Sequence, residues 1–306
     1  MAVLFPTGVF AAPPTPFADD GVDRIKAARH ARWFLDHGAH GLVVAGSGGE
    51  FIALTIAERK GLAEAVLDSV GADAPVIVCI GAYGTAATID LGLHAVANGA
   101  TAVLSTAPYY MQPTPASVRR YFAEIRAAVD APLMFYNSPG GTGIDLSSSD
   151  IVAMVDEGIL QAVKQSYADH YHLRELKNDL GDRAAVFAGH DASAFECMID
   201  GADGWVSTFP TVFPSRARRL WDDIQAGAPV PVVWAQWEEA LPFIRFVYDG
   251  ARKVRGEPHW LEAFKTAANL VGIDVGAPRP PFHLLEGADL DRLRRIVDDL
   301  RDPREP

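Results

Sequence analysis

Residues 159–167 read ILQAVKQSY, an apolar run of Ile159, Leu160, Ala162 and Val163 that ends in Lys164. A segment that otherwise leaves water carries an ammonium near its tip, and burying a charge is costly unless it is paired or used. The run is short and bounded, so 160–166 reads as a β-strand with Lys164 toward its C-terminal end.

Seven similar runs, rich in Val, Ile and Phe, occur at 8–12, 41–46 (GLVVAG), 75–81 (PVIVCIG), 102–107 (AVLSTA), 132–138 (PLMFYNS), 184–190 (AAVFAGH) and 204–209 (GWVSTF). Between them, helical periodicity predicts helices at about 23–38, 55–70, 85–98, 115–129, 147–157, 169–181, 192–200 and 213–226, with Thr55, Ser147 and Asp169 as capping residues. In 115–129, Val118, Tyr121, Phe122, Ile125 and Ala128 share one stripe while Arg119, Arg120 and Arg126 lie off it. Strands apolar on both faces belong to a parallel sheet covered by helices, and eight right-handed strand–helix units can close on themselves. The expected fold is therefore α/β, a (β/α)8 TIM barrel. An open doubly wound sheet is the alternative, but no Gly-x-Gly-x-x-Gly follows the first strand. From about 229 the strand period stops and helical patterns continue, so a barrel over 1–228 carrying the active site is expected to precede a C-terminal helical region at 229–306, with APRPPF (277–282) as a strut.

The composition narrows the function. The chain has 306 residues, 49% of them hydrophobic, enough for a large core. A net charge of −12 and a pI near 5.1, with the few lysines scattered, argue against nucleic acid or an anionic membrane as partner. Cys79 and Cys197 read as buried free thiols in a reducing cytoplasm. The N-terminus is broken by Pro6, Pro13, Pro14 and Pro16 and lacks a basic segment, so no signal peptide is expected there. No run approaches the ~20 residues of a membrane span. A cytoplasmic location is the resulting expectation.

Catalytic groups of such a barrel sit at the C-terminal ends of its strands. The second strand ends in AGSGGE, where Gly46, Gly48 and Gly49 around Ser47 make either a bare tight turn or a nest of N–H groups for a carboxylate. The fourth ends in TAPYYMQP with Tyr109 and Tyr110, and the fifth in FYNSPGGTG with Tyr136. Tyrosines at strand edges commonly pack. Beside a lysine they also form a proton relay. Of six lysines, Lys26, Lys60, Lys177, Lys253 and Lys265 fall in charged helical surroundings, and only Lys164 ends an apolar strand. Desolvation frees an amine to attack a carbonyl, which is how imine-forming lysines arise; pairing to a hidden carboxylate is the structural alternative. Tyr136, with Ser47 and Tyr110 passing protons onward, supplies the acid–base chemistry an imine needs.

These motifs resemble the dihydrodipicolinate synthase and N-acetylneuraminate lyase family of lysine-dependent class I aldolases. The resemblance runs from about residue 8 to 300 and rests on TPF (15–17), GSGGE (46–50), PYY (108–110), YNSPGGTG (136–143) and VK (163–164). It implies a barrel with a C-terminal helical region, usually a homotetramer built as a dimer of dimers, and no cofactor or metal. By motif match Lys164 takes the imine position, Tyr136 that of the proton-shuttling tyrosine and Ser47 that of a loop hydroxyl. Tyr110 matches a relay tyrosine often lent by a neighbouring subunit. Gly48, Gly49, Val206 and His190 are the expected substrate-binding positions, Val206 matching an apolar residue whose backbone borders the pyruvate pocket. The implied activity is that of a lyase, aldolase or dehydratase, acting on pyruvate or a pyruvate-derived 2-oxo acid.

Two departures bear on the substrate. Gly48 stands where the family loop has a second threonine, which removes one hydroxyl worth ~1 kcal/mol. Gly141 stands where dihydrodipicolinate synthases have an arginine for the aldehyde partner's carboxylate, and glycine forms no bidentate clamp. The SPGG segment (138–141) widens the pocket, and His190 and Asp191 are expected to face its mouth, where the imidazole serves either to hydrogen-bond a substrate hydroxyl or to cap and pack. The alternatives are 4-hydroxy-tetrahydrodipicolinate synthase, a non-catalytic keto-acid binder, and a metal-dependent aldolase. For the last, His37, His40, His170 and His172 lie at helix ends and not at strand ends.

Overall fold

The computed structural model of the chain describes residues 5–18, 21–249 and 258–301. Eight parallel strands close into a barrel: β1 (Gly8–Ala11), β2 (Gly41–Val44), β3 (Val76–Cys79), β4 (Ala102–Thr106), β5 (Leu133–Asn137), β6 (Ala162–Gln165), β7 (Ala185–Ala188) and β8 (Gly204–Ser207). Each pairs with its sequence neighbour, and β1 pairs with both β2 and β8. All eight expected strands are present, each shorter by one to three residues. Those lost at the C-terminal ends, such as Gly46, Ser138, Ser166, Gly189 and His190, lie in the turns that carry the site.

Strict alternation assigns the two shells. Phe10, Val43, Ile77, Cys79, Leu104, Met134, Tyr136, Ala162, Phe187 and Val206 fill the interior. Their neighbours, such as Val9, Leu42, Val78, Val103, Phe135, Val163 and Trp205, pack outward beneath the helices. Glycine shapes the floor: a Cβ on Gly41 would lie 2.5 Å from the Phe10 ring, and one on Gly204 2.2 Å from the Phe187 ring. These two rings meet edge to face at 5.6 Å and plug the lower end of the barrel.

The intervening helices are α1 (Arg24–Asp36), α2 (Ile56–Val70), α3 (Thr85–Ala97), α4 (Pro115–Ala128), a short α5 (Pro139–Thr142), α6 (Ser148–Asp156), α7 (Tyr171–Leu180), α8 (Ala194–Ile199), a short α9 (Phe209–Val212) and α10 (Pro214–Gln225). Thr55 and Ser147 close capping boxes with Glu58 and Asp150. Asp169 lies one residue outside its expected place: His170 is the N-cap of α7, and Asp169 accepts from the Tyr171 N–H at 3.0 Å. On α4 the stripe of Val118, Tyr121, Phe122 and Ile125 is buried but Ala128 is exposed, because the chain leaves helical geometry at Val129, which turns into the core instead. A small antiparallel ribbon, Phe17–Ala18 with Gly21–Val22, was not expected, since two-residue strands carry no periodic signal.

Three further helices follow, α11 (Val230–Asp249), α12 (Trp260–Leu270) and α13 (Gly287–Leu300). The expected helical pattern between α11 and α12, with Lys253, lies outside the described residues. Phe243, Phe264, Leu293 and Val297 share one continuous core with the barrel's outer shell. The strut at 277–282 is pinned to α2 by Arg279, which pairs with Glu58 and donates to the Ala53 carbonyl at 2.6 Å. The hydrogen bond from Arg279 holds the Glu58 carboxyl down, from the usual 4.5 to about 2. A depressed folded-state pKa stabilises the fold above the unfolded value and loses that contribution as pH falls through the folded one. Stability should therefore decline between about pH 4.5 and 2. Arg279→Met should flatten that limb in urea titrations across the range.

Candidate active site

The ladder between β5 and β6 pairs Tyr136 with Lys164 and Asn137 with Gln165. Alternation then turns Lys164 inward, two residues beyond the interior Ala162, and places its Nζ 4.1 Å from the centre of the Tyr136 ring. Lys164 is 8% exposed and has neither a hydrogen bond nor an ion pair with any described residue. Burial, the largest influence on the Tyr136 phenol, pushes it up. The Lys164 charge and the hydroxyls of Ser138, Ser166 and Ser47 outweigh that, so the phenol ends below its ordinary value.

Lys164 opens into a cavity of about 470 Å³ at the C-terminal mouth of the barrel, whose lining includes Ser47, Gly48, Tyr136, Ser138, Ser166 and His190. A second chamber of about 510 Å³ shares Ser47, Tyr136, Ser138, Gly141 and Trp260 with it and extends to Tyr109 and Phe282.

Lys265 corrects the sequence reading. It is fully buried rather than set in a charged helical surface, and it donates to Glu50 Oε1 at 2.8 Å, the Thr15 carbonyl at 2.9 Å and the Ala277 carbonyl at 3.0 Å. Glu50 ends the AGSGGE turn in left-handed backbone at φ 58° and also receives the Arg279 N–H at 2.8 Å. The turn bearing Ser47 is thus tied to α12. The missing threonine is explained by the same helix: a Cβ on Gly48 would lie 2.8 Å from the Phe264 ring.

The expected residues divide. Ser47, Gly48, Tyr136, Lys164 and His190 converge on the cavity. Gly49 does not line it; it is buried, and its carbonyl accepts from Thr15 Oγ1 at 2.6 Å. Val206 lies in the interior layer beneath, while Ser207 and Thr208 reach the cavity. Tyr110 is 85% exposed, in left-handed backbone at φ 72°, beside exposed Met111, and does not enter either chamber of its own chain.

His190 lines the mouth, tilted against Tyr248 with ring centres 4.2 Å apart. Burial lowers its pKa and Lys164 adds to the effect, against the opposing pull of Asp191. Asp191 does not face the mouth, contrary to expectation. It is fully buried and accepts from Trp205 Nε1 (3.0 Å), the Phe209 N–H (2.9 Å), Tyr248 (3.2 Å) and Thr208. The histidines considered for a metal lie elsewhere: His37 stacks on Trp33, His40 accepts from the Val9 N–H, and His172 stacks on Tyr167. Among the described residues no three His, Cys, Asp or Glu side chains converge on a common point. Both cysteines are buried free thiols, pushed up by burial, Cys197 to about 12.

Gly189 was missed. A Cβ there would lie 2.8 Å from both Cε and Cγ of Lys164, so only glycine lets the lysine stem pass. The residue stood in the AGHD stretch, but nothing in sequence says which side chain crosses a glycine.

The Dihydrodipicolinate synthetase family model matches residues 5–300. The chain belongs to the dihydrodipicolinate synthetase family. It is 31% identical over 289 residues, 94% of this chain and 93% of the relative, to the 4-hydroxy-tetrahydrodipicolinate synthase of Prochlorococcus marinus. The fold matches a putative dihydrodipicolinate synthetase from Pseudomonas aeruginosa with a TM-score of 0.89 at 28% identity, covering 97% of this chain and 100% of the other. A prophage protein of E. coli K12, solved in complex with pyruvate and belonging to the dihydrodipicolinic acid synthase family, matches with a TM-score of 0.88 at 27% identity, covering 96% and 98%. Members of the dihydrodipicolinate synthetase family are lyases, and this chain is an enzyme of that family.

The two buried lysines should respond oppositely to removal of charge. Lys265→Met leaves Glu50 buried and unpaired and should cost ~3–5 kcal/mol in denaturant melts, with Glu50→Gln/Lys265→Met recovering most of it. Lys164→Met removes an unpaired ammonium and should stabilise by ~1–2 kcal/mol. Gly189→Ala should keep the fold by circular dichroism yet reduce turnover at least ~100-fold by displacing Lys164, since a 1 Å misplacement has that scale.

Proposed function

We propose that Lys164 forms a Schiff base with pyruvate or a pyruvate-derived 2-oxo acid, and that the protein is an aldolase or dehydratase working through that imine. The observation that carries this reading is a buried lysine with no anionic partner among the described residues, set against the Tyr136 ring and open to a cavity. A structural lysine would be satisfied in the way Lys265 is.

The amine of Lys164 adds to the C2 carbonyl, and the ketone oxygen takes up a proton from Tyr136, with Ser47 relaying. Loss of water leaves the protonated imine. The carboxylate of the 2-oxo acid sits against Ser47 and the Gly48 N–H, where the glycine turn presents donors. In cleavage, the C4 hydroxyl gives its proton to Tyr136, the C3–C4 bond breaks into the imine as electron sink, and an aldehyde leaves. The enamine is then protonated at C3, and water releases pyruvate and regenerates the amine. In dehydration C3–C4 stays intact: the imine loses a C3 proton to Tyr136, and the resulting enamine expels the C4 hydroxyl as water with that proton returned from Tyr136. A phenol held below its ordinary pKa is suited to accept that proton.

The exposure of Tyr110, Met111 and Ile52 supports a homo-oligomer, a dimer of dimers in this reading, in which Tyr110 reaches a neighbouring copy's relay. Gly141 and the absence of arginine from the cavity lining among the described residues favour a substrate other than that of 4-hydroxy-tetrahydrodipicolinate synthase.

Incubation with pyruvate and borohydride should add one reduced pyruvyl group at Lys164, read by peptide mass. Lys164→Ala should show none. Tyr136→Phe should still form the adduct but cleave or dehydrate ~100- to 10,000-fold more slowly, the usual contribution of a positioned acid–base group. Absence of the wild-type adduct would sink the imine.

A further inference from the structure

Granting the imine at Lys164, we propose that the buried ion pair of Glu50 and Lys265, with Thr15, positions the Ser47–Gly48 turn for the carboxylate of the 2-oxo acid. These residues set how tightly the acid is held and leave the placement of the amine to the β5–β6 ladder. None of the three lines the Lys164 cavity, so each acts through the turn.

The turn needs holding. It is closed by the Glu50 N–H on the Ser47 carbonyl at 3.0 Å. The residues that bracket it, Ala45 at φ 55° and Glu50 at φ 58°, lie in left-handed backbone, which a residue with a Cβ adopts only at a cost. Between them stand Gly46, Gly48 and Gly49, so Ser47 is the one side chain inside the bracket and the backbone there is at its most permissive. A carboxylate is gripped well only by donors that are already in place when it arrives.

Three anchors supply what the turn lacks. Both carboxylate oxygens of Glu50 are taken, Oε1 by Lys265 Nζ at 2.8 Å and Oε2 by the Arg279 N–H at 2.8 Å. The Thr15 hydroxyl donates to the Gly49 carbonyl at 2.6 Å while Lys265 donates to the Thr15 carbonyl at 2.9 Å. One ammonium therefore holds residue 50 directly and residue 49 through Thr15. Phe264, which precedes Lys265 on α12, sets its ring where a Cβ on Gly48 would come within 2.8 Å. Phe17 seals the cluster, with Lys265 Nζ and the Arg279 guanidinium each 4.5 Å from its ring centre. Thr15, Glu50 and Lys265 are all buried, where charge-assisted bonds are strong and water does not compete. TPF (15–17) and the Glu50 of GSGGE, which no step at Lys164 uses, thus share one role.

The test is trapping at Lys164 with cyanoborohydride, whose slow reduction reads the imine standing at equilibrium, followed by intact mass over a series of ketone concentrations. Two three-carbon ketones are compared: pyruvate, and hydroxyacetone, which has no carboxylate. In Glu50→Gln/Lys265→Met the half-saturating pyruvate concentration is expected to rise at least about ten-fold, with the maximal trapping rate and the trapping of hydroxyacetone each within about three-fold of wild type. Thr15→Val should raise the same concentration at least about three-fold, and Thr15→Ser, which keeps the hydroxyl, should restore it to within about two-fold. The Thr15 pair decides the matter if the double variant does not fold. Pyruvate half-saturation unchanged in either folded variant overturns the inference and leaves the imine standing. An equal loss for the two ketones also overturns it, because a general loosening of the barrel would spare neither. No pyruvate adduct in the wild-type protein means the imine itself fails, and the inference with it.

Discussion

The pairing of Tyr136 with Lys164 across β5 and β6 is the constraint on which the site depends. Side chains on a strand alternate with period two, so a slip of one residue would exchange Lys164 with Val163 and turn the amine into the helix-facing shell. Nothing local prevents that slip. It is prevented by closure: eight strands share one cyclic register, and Phe10 and Phe187 fit only above the bare Gly41 and Gly204. Packing at the floor of the barrel thus fixes chemistry at its mouth.

Two lysines leave water among the described residues, and the contrast between them separates structure from function. Lys265 meets a carboxylate and two carbonyls, so its charge is satisfied and it acts as a rivet between α12 and the AGSGGE turn. Lys164 meets the face of an aromatic ring and empty space. A buried lysine with no ion pair among the described residues is held there by the surrounding barrel, and such tension concentrates where a protein performs reactions. The C-terminal helices are part of the same arrangement: Phe264 occupies the space a residue larger than glycine would need at 48, and Tyr248 joins the hydrogen bonds around Asp191. The helical region therefore completes the wall of the cavity as well as covering the barrel.

Much of this was legible in the chain. The strand runs, the capping residues Thr55 and Ser147 and the apolar stripe of α4 declare themselves through period and spacing, because local geometry imposes them. Lys164 and Tyr136 were legible because each ends a strand, and strand ends in a closed barrel converge. Lys265 was not, because its amphipathic helix resembles any surface helix until a second layer, α13 and the strut, buries its other side. Asp191 pointed the wrong way in expectation: only the position of Trp205 and Tyr248, 14 and 57 residues away, decides that it turns inward. Gly189 was visible but mute.

By itself, then, the sequence determined what repeats and what is adjacent: eight alternating strand–helix units, an amine at the end of one apolar strand, a phenol at the end of the strand before it, and a glycine turn around Ser47. Tertiary structure alone decided which buried charge would be neutralised, which glycine yields to a neighbour's side chain, and where the cavity ends. Those outcomes depend on contacts between residues up to 250 positions apart, as Lys265 is from Thr15, and such distances carry no periodic signal along the chain. Hydrophobic period is a local property; the fate of a charge is set by whatever the closed fold brings against it.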